Sequence, residues 1–262
     1  MNPFYFGDSA RPLFGVYHPA PPADPGRGVV LCYPVGGEYL RAHRAFRQLT
    51  NLLVRAGLHV LRFDYSGTGD SAGDPVTASL EAWAEDVGTA IGELRDSAGL
   101  EHVSLAGLRL GGLLALQAAR KRGDVEHVVM WDPLPRGAEY MESLERVPVG
   151  GRLEDGGPSP FPAGTVGSGG FPFTPRIQEE IRELDLTAQE APGRIPVDLL
   201  SSRDEPRLGE VARRWSEAGA PVHYRHIPSE GDWAKGDRFG SALIPQAIIQ
   251  GVVQRLVEGG AR

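Results

Sequence analysis

Apolar residues along this chain follow two rhythms that alternate. Val29–Tyr33 is an unbroken apolar run, as expected where both faces of a strand are buried. Ala42–Ala56 sets Phe46, Leu49, Leu52 and Leu53 on one helical face and Arg44, Arg47 and Arg55 on the other, and Gly57 stops it. Leu58–Phe63 is again strand-like, Leu80–Arg95 helical behind Ser79, His102–Ala106 strand-like, Leu110–Lys121 helical and Glu126–Trp131 strand-like, closed by Asp132-Pro133. A shorter strand, Leu13–His18, precedes the series and ends at Pro19. Regular alternation of this kind predicts a parallel, doubly wound sheet, with ligands at the carboxyl ends of its strands.

The rhythm breaks between Leu134 and Ile195. Ala138–Glu145 and Arg176–Leu186 read as helices, but Val147–Pro175 is rich in Gly and Pro and has no period. Long aperiodic stretches in compact domains are usually lids or mobile loops. The expectation is a core of residues 1–133 and 196–262, a cap inserted at 134–195, and a flexible loop at 148–170. The sheet resumes with Val197–Ser201, a helix Leu208–Gly219, a last strand Val222–Ile227 and a closing helix Ala242–Val257.

Composition narrows the classes of function. With 262 residues, 41% of them hydrophobic, the chain can bury a sizeable core. The net charge is -7 and no Lys/Arg block occurs, so nucleic acid and anionic membrane are not expected partners. The single cysteine, Cys32, leaves no internal disulfide and fits a reducing compartment. Without a signal-like start or a run of transmembrane length, a cytoplasmic protein is expected. No His/Cys spacing suggests a metal site, and no motif calls for a cofactor.

The chemistry centres on Val103–Leu114. A buried strand, a turn framed by glycines and an apolar helix reproduce the nucleophile elbow of α/β-hydrolases, G-x-S-x-G. Here the turn reads Gly107-Leu108-Arg109-Leu110-Gly111. A guanidinium stays protonated and cannot attack a carbonyl. Ser104 lies inside the strand, and Cys32 reads as a small core residue. After the last strand comes Ser229-Glu230-Gly231-Asp232-Trp233, with Asp232 where a histidine would follow the glycine. His223 and His226 lie in the strand before it and read as ordinary strand residues. The acid position is held by Asp204, with Asp132 a second candidate.

Arg109 thus sits at a helix N-terminus, where the dipole favours anions. Asp132, Asp204, Asp232 and Glu38 are all expected on the same sheet edge. Two readings stay open. Arg109 either joins an ion-pair cluster that plugs the site, or forks the carboxylate or phosphate of a substrate. The loop Pro34-Val35-Gly36-Gly37-Glu38-Tyr39 allows backbone amides near Val35 and Leu110 to approach an oxygen. The expected substrate-binding set is Arg109, Val35, Gly36, Glu38, Tyr39, Leu110, Asp132 and Trp233. The turn Asp64–Ser71 has Gly67 and Gly69 but no P-loop lysine, and reads as structural.

Four stretches occur in one order: Tyr33-Pro34-x-Gly36-x-Glu38-Tyr39-x-Arg41-x-His43-Arg44, Phe63-Asp64-Tyr65-x-Gly67-Thr68-Gly69-Asp70-Ser71, Ala106–Gly111, and Trp131-Asp132-Pro133. This set resembles serine-aminopeptidase-like α/β-hydrolase-fold proteins, including the exosortase-A-system-associated group, in which the elbow often carries arginine. The resemblance is close over Gly28–Pro133 and looser over Phe171–Val257. It implies an α/β-hydrolase fold with a small inserted cap, but not a reaction, since the serine and histidine of active relatives are missing. In lacking a triad the chain is also similar to the atypical α/β-hydrolase-fold peptide epimerases of natural-product biosynthesis, such as that of the bottromycin pathway. Three functions follow as expectations. One is a non-hydrolytic enzyme, for example an epimerase, on a carboxylate-bearing peptide or acyl substrate. Another is an inactive pseudohydrolase that binds a small molecule, a peptide or a partner enzyme. The last is a hydrolase with a relocated nucleophile.

Overall fold

The structure is a computed structural model that describes the chain except residues 22–25, 145–146, 149–159, 230–232, 234–243 and 260–262, and, at 147–148, the side chains. Its centre is an eight-stranded sheet with strands β1 (Asn2–Phe6), β2 (Leu13–His18), β3 (Arg27–Cys32), β4 (Leu58–Phe63), β5 (Val103–Leu108), β6 (Val125–Trp131), β10 (Val197–Ser201) and β11 (Val222–His226). Their spatial order is β1-β2-β4-β3-β5-β6-β10-β11. The β1/β2 and β2/β4 pairs are antiparallel and every other pair in this sheet is parallel. The doubly wound architecture is therefore as expected, extended by an edge strand, β1, that the opening residues did not suggest.

Helices cover both faces: α1 (Gly37–Arg55), α2 (Leu80–Ala98), α3 (Leu110–Arg120), α6 (Pro206–Glu217) and α7 (Gln246–Gly259). In the central strand β5 every residue is buried, which explains why its sequence is apolar without alternation. Nine of the eleven residues of α3 are buried, so that helix has hardly a polar face to show. Ser79 caps α2 by accepting from the Ala82 amide at 3.2 Å, and Gly99 ends it in the left-handed conformation.

Two expectations need correction. The loop at Pro34–Tyr39 is shorter than anticipated, because α1 begins at Gly37 rather than at Ala42. Glu38 and Tyr39 therefore stand in a first helical turn, where acidic Glu38 suits the dipole. The stretch 147–175 is not wholly without structure either. Between β6 and β10 the chain forms α4 (Gly137–Ser143), the small antiparallel sheet β7 (Val147–Pro148), β8 (Val166–Ser168) and β9 (Phe171–Phe173), and α5 (Pro175–Arg182). The expected flexible loop at 148–170 falls partly on 149–159, outside the described residues. Its far end is the β8–β9 hairpin, turned by Gly169 and Gly170 at positive φ. No described helix is long and apolar enough to cross a membrane.

Candidate functional site

The turn between β5 and α3 is dictated by its glycines. A Cβ on Gly107 would lie 2.3 Å from the Gly111 carbonyl oxygen, and one on Gly111 would lie 2.3 Å from the Cys32 carbonyl oxygen. No larger residue fits either place. At the apex Arg109 is held at φ 54, ψ -120, while its amide donates to the Trp131 carbonyl at 2.9 Å. A non-glycine residue at positive φ costs on the order of 1–3 kcal/mol and persists only where its surroundings enforce it. The geometry of a nucleophile elbow is present, with a guanidinium at its tip.

That guanidinium has a partner. Arg109 Nε donates to Glu38 Oε1 at 3.0 Å, and the Glu38 side chain is wholly sealed from solvent while that of Arg109 is 20% exposed. Arg109 Cζ also lies 5.5 Å from the ring centre of Tyr140, on α4 of the insertion. Burial pushes the Glu38 carboxyl up, against the pull of Arg109 and Arg41. Burial works against the Arg109 charge too, but Glu38 and Tyr140 outweigh it and the guanidinium stays protonated. Glu38 Oε2 and the Tyr140 hydroxyl are buried with no hydrogen bond of good geometry. Among the described acids expected around Arg109, Glu38 is the one in hydrogen-bond contact.

Asp132, at the end of β6, is also held at positive φ, 44°. Its Oδ1 accepts from the Ser202 amide at 2.6 Å, and its Oδ2 accepts from the Ser202 hydroxyl at 2.8 Å and from the Trp233 indole Nε1 at 2.9 Å. The Trp233 ring stands edge-on to Trp131 at 5.4 Å, and its carbonyl accepts from Arg41 Nε. In a serine hydrolase, a histidine N–H makes this contact with the triad carboxylate. An indole N–H can donate but has no lone pair with which to take a proton. Among the described residues, the donor to the Asp132 carboxylate from this loop is an indole.

The other candidates fall elsewhere. Asp204 is exposed and does not line the cavity beside Arg109, whereas Asp132, the second candidate for the acid position, does. Asp232 lies outside the described residues. His226 and His223 are exposed on β11, and His223 borders a different cavity, with His127 and Asp198. Ser104 is buried and donates to Glu126 at 3.1 Å, burial pushes the Cys32 thiol up, and neither residue borders the cavities at the elbow end.

The expected substrate-binding set is split between two cavities. Val35, Gly36 and Tyr39 line one of about 280 Å³, closed by Tyr65 and Thr68 from the loop after β4 and by Phe171 from the insertion. Arg109, Asp132 and Trp233 line a smaller one of about 150 Å³, together with Ser202 and Arg203. Glu38 and Leu110 are buried and border neither. The insertion presses on the glycine loop: a Cβ on Gly169 would lie 2.4 Å from Gly37 Cα, and the Gly37 amide donates to Ser168 Oγ at 3.4 Å. Among the described residues, no histidine lines either cavity. Ser202, Tyr140, Ser168 and Phe171 were not singled out in the sequence. Three of them come from the stretch between β6 and β10, where no motif marks them.

A family model described as "Serine aminopeptidase, S33" matches residues 27–154, just under half of the chain. No curated protein matches at the level of sequence. Several solved structures share the architecture. Est1E from Butyrivibrio proteoclasticus, with bound ferulic acid, is 14% identical, with a TM-score of 0.66 over 97% of this chain and 96% of that one. A proline iminopeptidase-related protein from Thermus thermophilus is 20% identical, with a TM-score of 0.63 over 98% and 99%. Alpha/beta hydrolase domain-containing protein 10 from mouse is 18% identical, with a TM-score of 0.58 over 98% of both chains. At these identities the likeness establishes the fold, that of the α/β-hydrolases.

Proposed function

We propose that this α/β-hydrolase-fold protein binds a small organic ligand between its core and its inserted segment and does not hydrolyse it. The Arg109–Glu38 pair carries this reading. The position from which a nucleophile would attack is filled by a cation whose charge is met by a buried carboxylate of the same chain. Trp233 on Asp132 supports it, since a proton acceptor has given way to a donor. So does the capture of the Gly37 amide by Ser168, which removes one backbone donor from the glycine loop. The larger cavity is lined by neither Arg109 nor Leu110 of the elbow.

The reading is tested with a fluorophosphonate probe and a panel of aryl and acyl esters. Neither adduct nor turnover is expected from the purified protein. Labelling of Ser202 or Thr68, or ester cleavage that survives repurification, would count for a relocated nucleophile. Nothing in the geometry favours that alternative, because the Ser202 hydroxyl is spent on Asp132 and has no histidine beside it among the described residues.

One observation favours a second reading, a non-hydrolytic enzyme on a carboxylate-bearing substrate. Only Nε of Arg109 is engaged by Glu38, and the side chain stays partly exposed in the smaller, polar cavity. A substrate carboxylate reaching that cavity would meet the remaining edge of the guanidinium. Incorporation of solvent deuterium into a bound peptide, lost in Arg109→Ala, is the result that would favour catalysis over binding.

A further inference from the structure

We infer that the ligand of the larger cavity is an uncharged, flat molecule of about two fused rings, recognised without Arg109. This rests on the binding reading above and adds the chemical class.

None of the described residues lining this cavity carries a charge. Three lining side chains have hydroxyls, and each hydroxyl already donates to the protein. Tyr39 donates to Asp64 at 2.9 Å, Tyr65 to the Tyr33 carbonyl at 3.0 Å, and Thr68 to the Tyr65 carbonyl at 2.8 Å. An anion would therefore find no cation and no spare side-chain donor among these walls, and would have to give up water for backbone amides alone. The guanidinium of the elbow, Arg109, faces the other cavity.

The walls suit a planar body. Glycines bare the backbone on two sides, at Gly67 and Gly69 and at Gly169 and Gly170, and aromatic rings from Tyr65 and Phe171 supply apolar faces. Phe171 is itself fixed by Trp83, 5.6 Å away, and by Phe173, 4.9 Å away. Preformed apolar pockets with rigid aromatic walls favour flat hydrophobic ligands. Size sets the number of rings. A cavity of about 150 Å³ accommodates one benzene, and this one is about 280 Å³. Leu40 stands at the rim, 62% exposed, an apolar side chain that helix α1 leaves in water and that a bound ring would cover.

The experiment is calorimetry on the purified full chain with methyl naphthoate and with naphthoate, at a pH where the acid is ionised, recovering the ester by chromatography afterwards. The expected result is that the neutral ester binds about tenfold or more tightly than the anion. The same affinity should persist in Arg109→Ala and fall several-fold in Leu40→Asp, whose circular dichroism should match the parent because Leu40 is exposed. Tighter binding of naphthoate, abolished by Arg109→Ala, would overturn the inference and leave the binding reading standing. Binding of neither compound up to its solubility would also overturn it. Hydrolysis of the bound ester would overturn the proposed function while leaving the ligand class intact.

Discussion

The Arg109 guanidinium lies 3.0 Å from Glu38, a carboxylate with no solvent exposure. Neither residue is comfortable alone. Arg109 puts a cation at the N-terminus of α3, where the dipole is already positive. Glu38 has given up water for one hydrogen bond on one oxygen. Together they close the charge of the elbow within the chain.

Removing one partner should therefore cost more than removing both. Arg109→Ala strands a buried carboxylate and is expected to cost about 3–5 kcal/mol of stability. Adding Glu38→Gln should restore much of that loss. Urea unfolding of the two single variants and the double variant gives the coupling energy, and simple additivity would mean that the pair contributes nothing. Arg109→Ala should also lose stability as pH rises. Burial raises the folded-state pKa of Glu38 above its unfolded value, so the folded protein holds the extra proton, and deprotonation in that window favours unfolding.

Trp233 is expected to matter through its nitrogen as well as its ring. Trp233→Phe keeps the edge-on packing against Trp131 but takes one donor from Asp132, whose two bonds to Ser202 remain. A loss of about 1–3 kcal/mol follows from leaving that carboxylate short of a partner. Thermal unfolding monitored by near-ultraviolet circular dichroism would report it. A variant as stable as the parent would mean that the indole hydrogen bond is idle.

The elbow was legible because sterics left no choice. Gly107 and Gly111 each stand where a Cβ would strike backbone, so their spacing marks the turn whatever occupies position 109. That an acid would lie near Arg109 was legible as well: Glu38 meets it, Asp204 lies away from its cavity and Asp232 is outside the described residues. Which acid it would be was not legible. That depends on where α1 begins, and a start at Gly37 instead of Ala42 turns Glu38 from a loop residue into a buried one. Asp204 and Asp132 were separated only by burial and by the Ser202 contacts, which join β10 to β6 across 70 residues. The division of the expected binding residues between two cavities was hidden for a similar reason. The larger cavity is walled in part by Gly169 and Phe171, from a segment whose sequence has no period.

Acid should destabilise the protein through His18. Burial, with Arg62 and the N-terminal amine adding to it, lowers the His18 pKa from 6.5 to about 4. Its Nε2 faces Arg62 Nη2 at 3.3 Å, which suits a neutral ring that accepts. The unfolded chain takes up a proton first, so this contribution is complete above the ordinary histidine range and is lost as pH falls toward about 4. His18→Gln is expected to flatten the acid limb of a plot of urea midpoint against pH. His18 is only partly buried, so solvent screening keeps the effect modest. An unchanged limb would assign the acid sensitivity to other groups.

At the opposite end of β6 and β10 a second buried charge network ties α7 to the sheet. Asp198 accepts from His127 Nε2 at 2.6 Å and from Arg255 Nε at 2.8 Å, and the His127 and Asp198 side chains are each 2% exposed. Burial would raise the Asp198 carboxyl, but the two hydrogen bonds outweigh it and hold it below the usual carboxylate range. Asp198→Asn leaves Arg255 and His127 facing an amide, and is expected to cost about 3–5 kcal/mol, as for other broken buried pairs. It should leave ligand affinity unchanged, since none of the three residues borders the cavities at the elbow end. Chemical denaturation and ligand calorimetry on the same preparation separate the two effects. Loss of binding at full stability would mean that the two ends of the sheet are coupled.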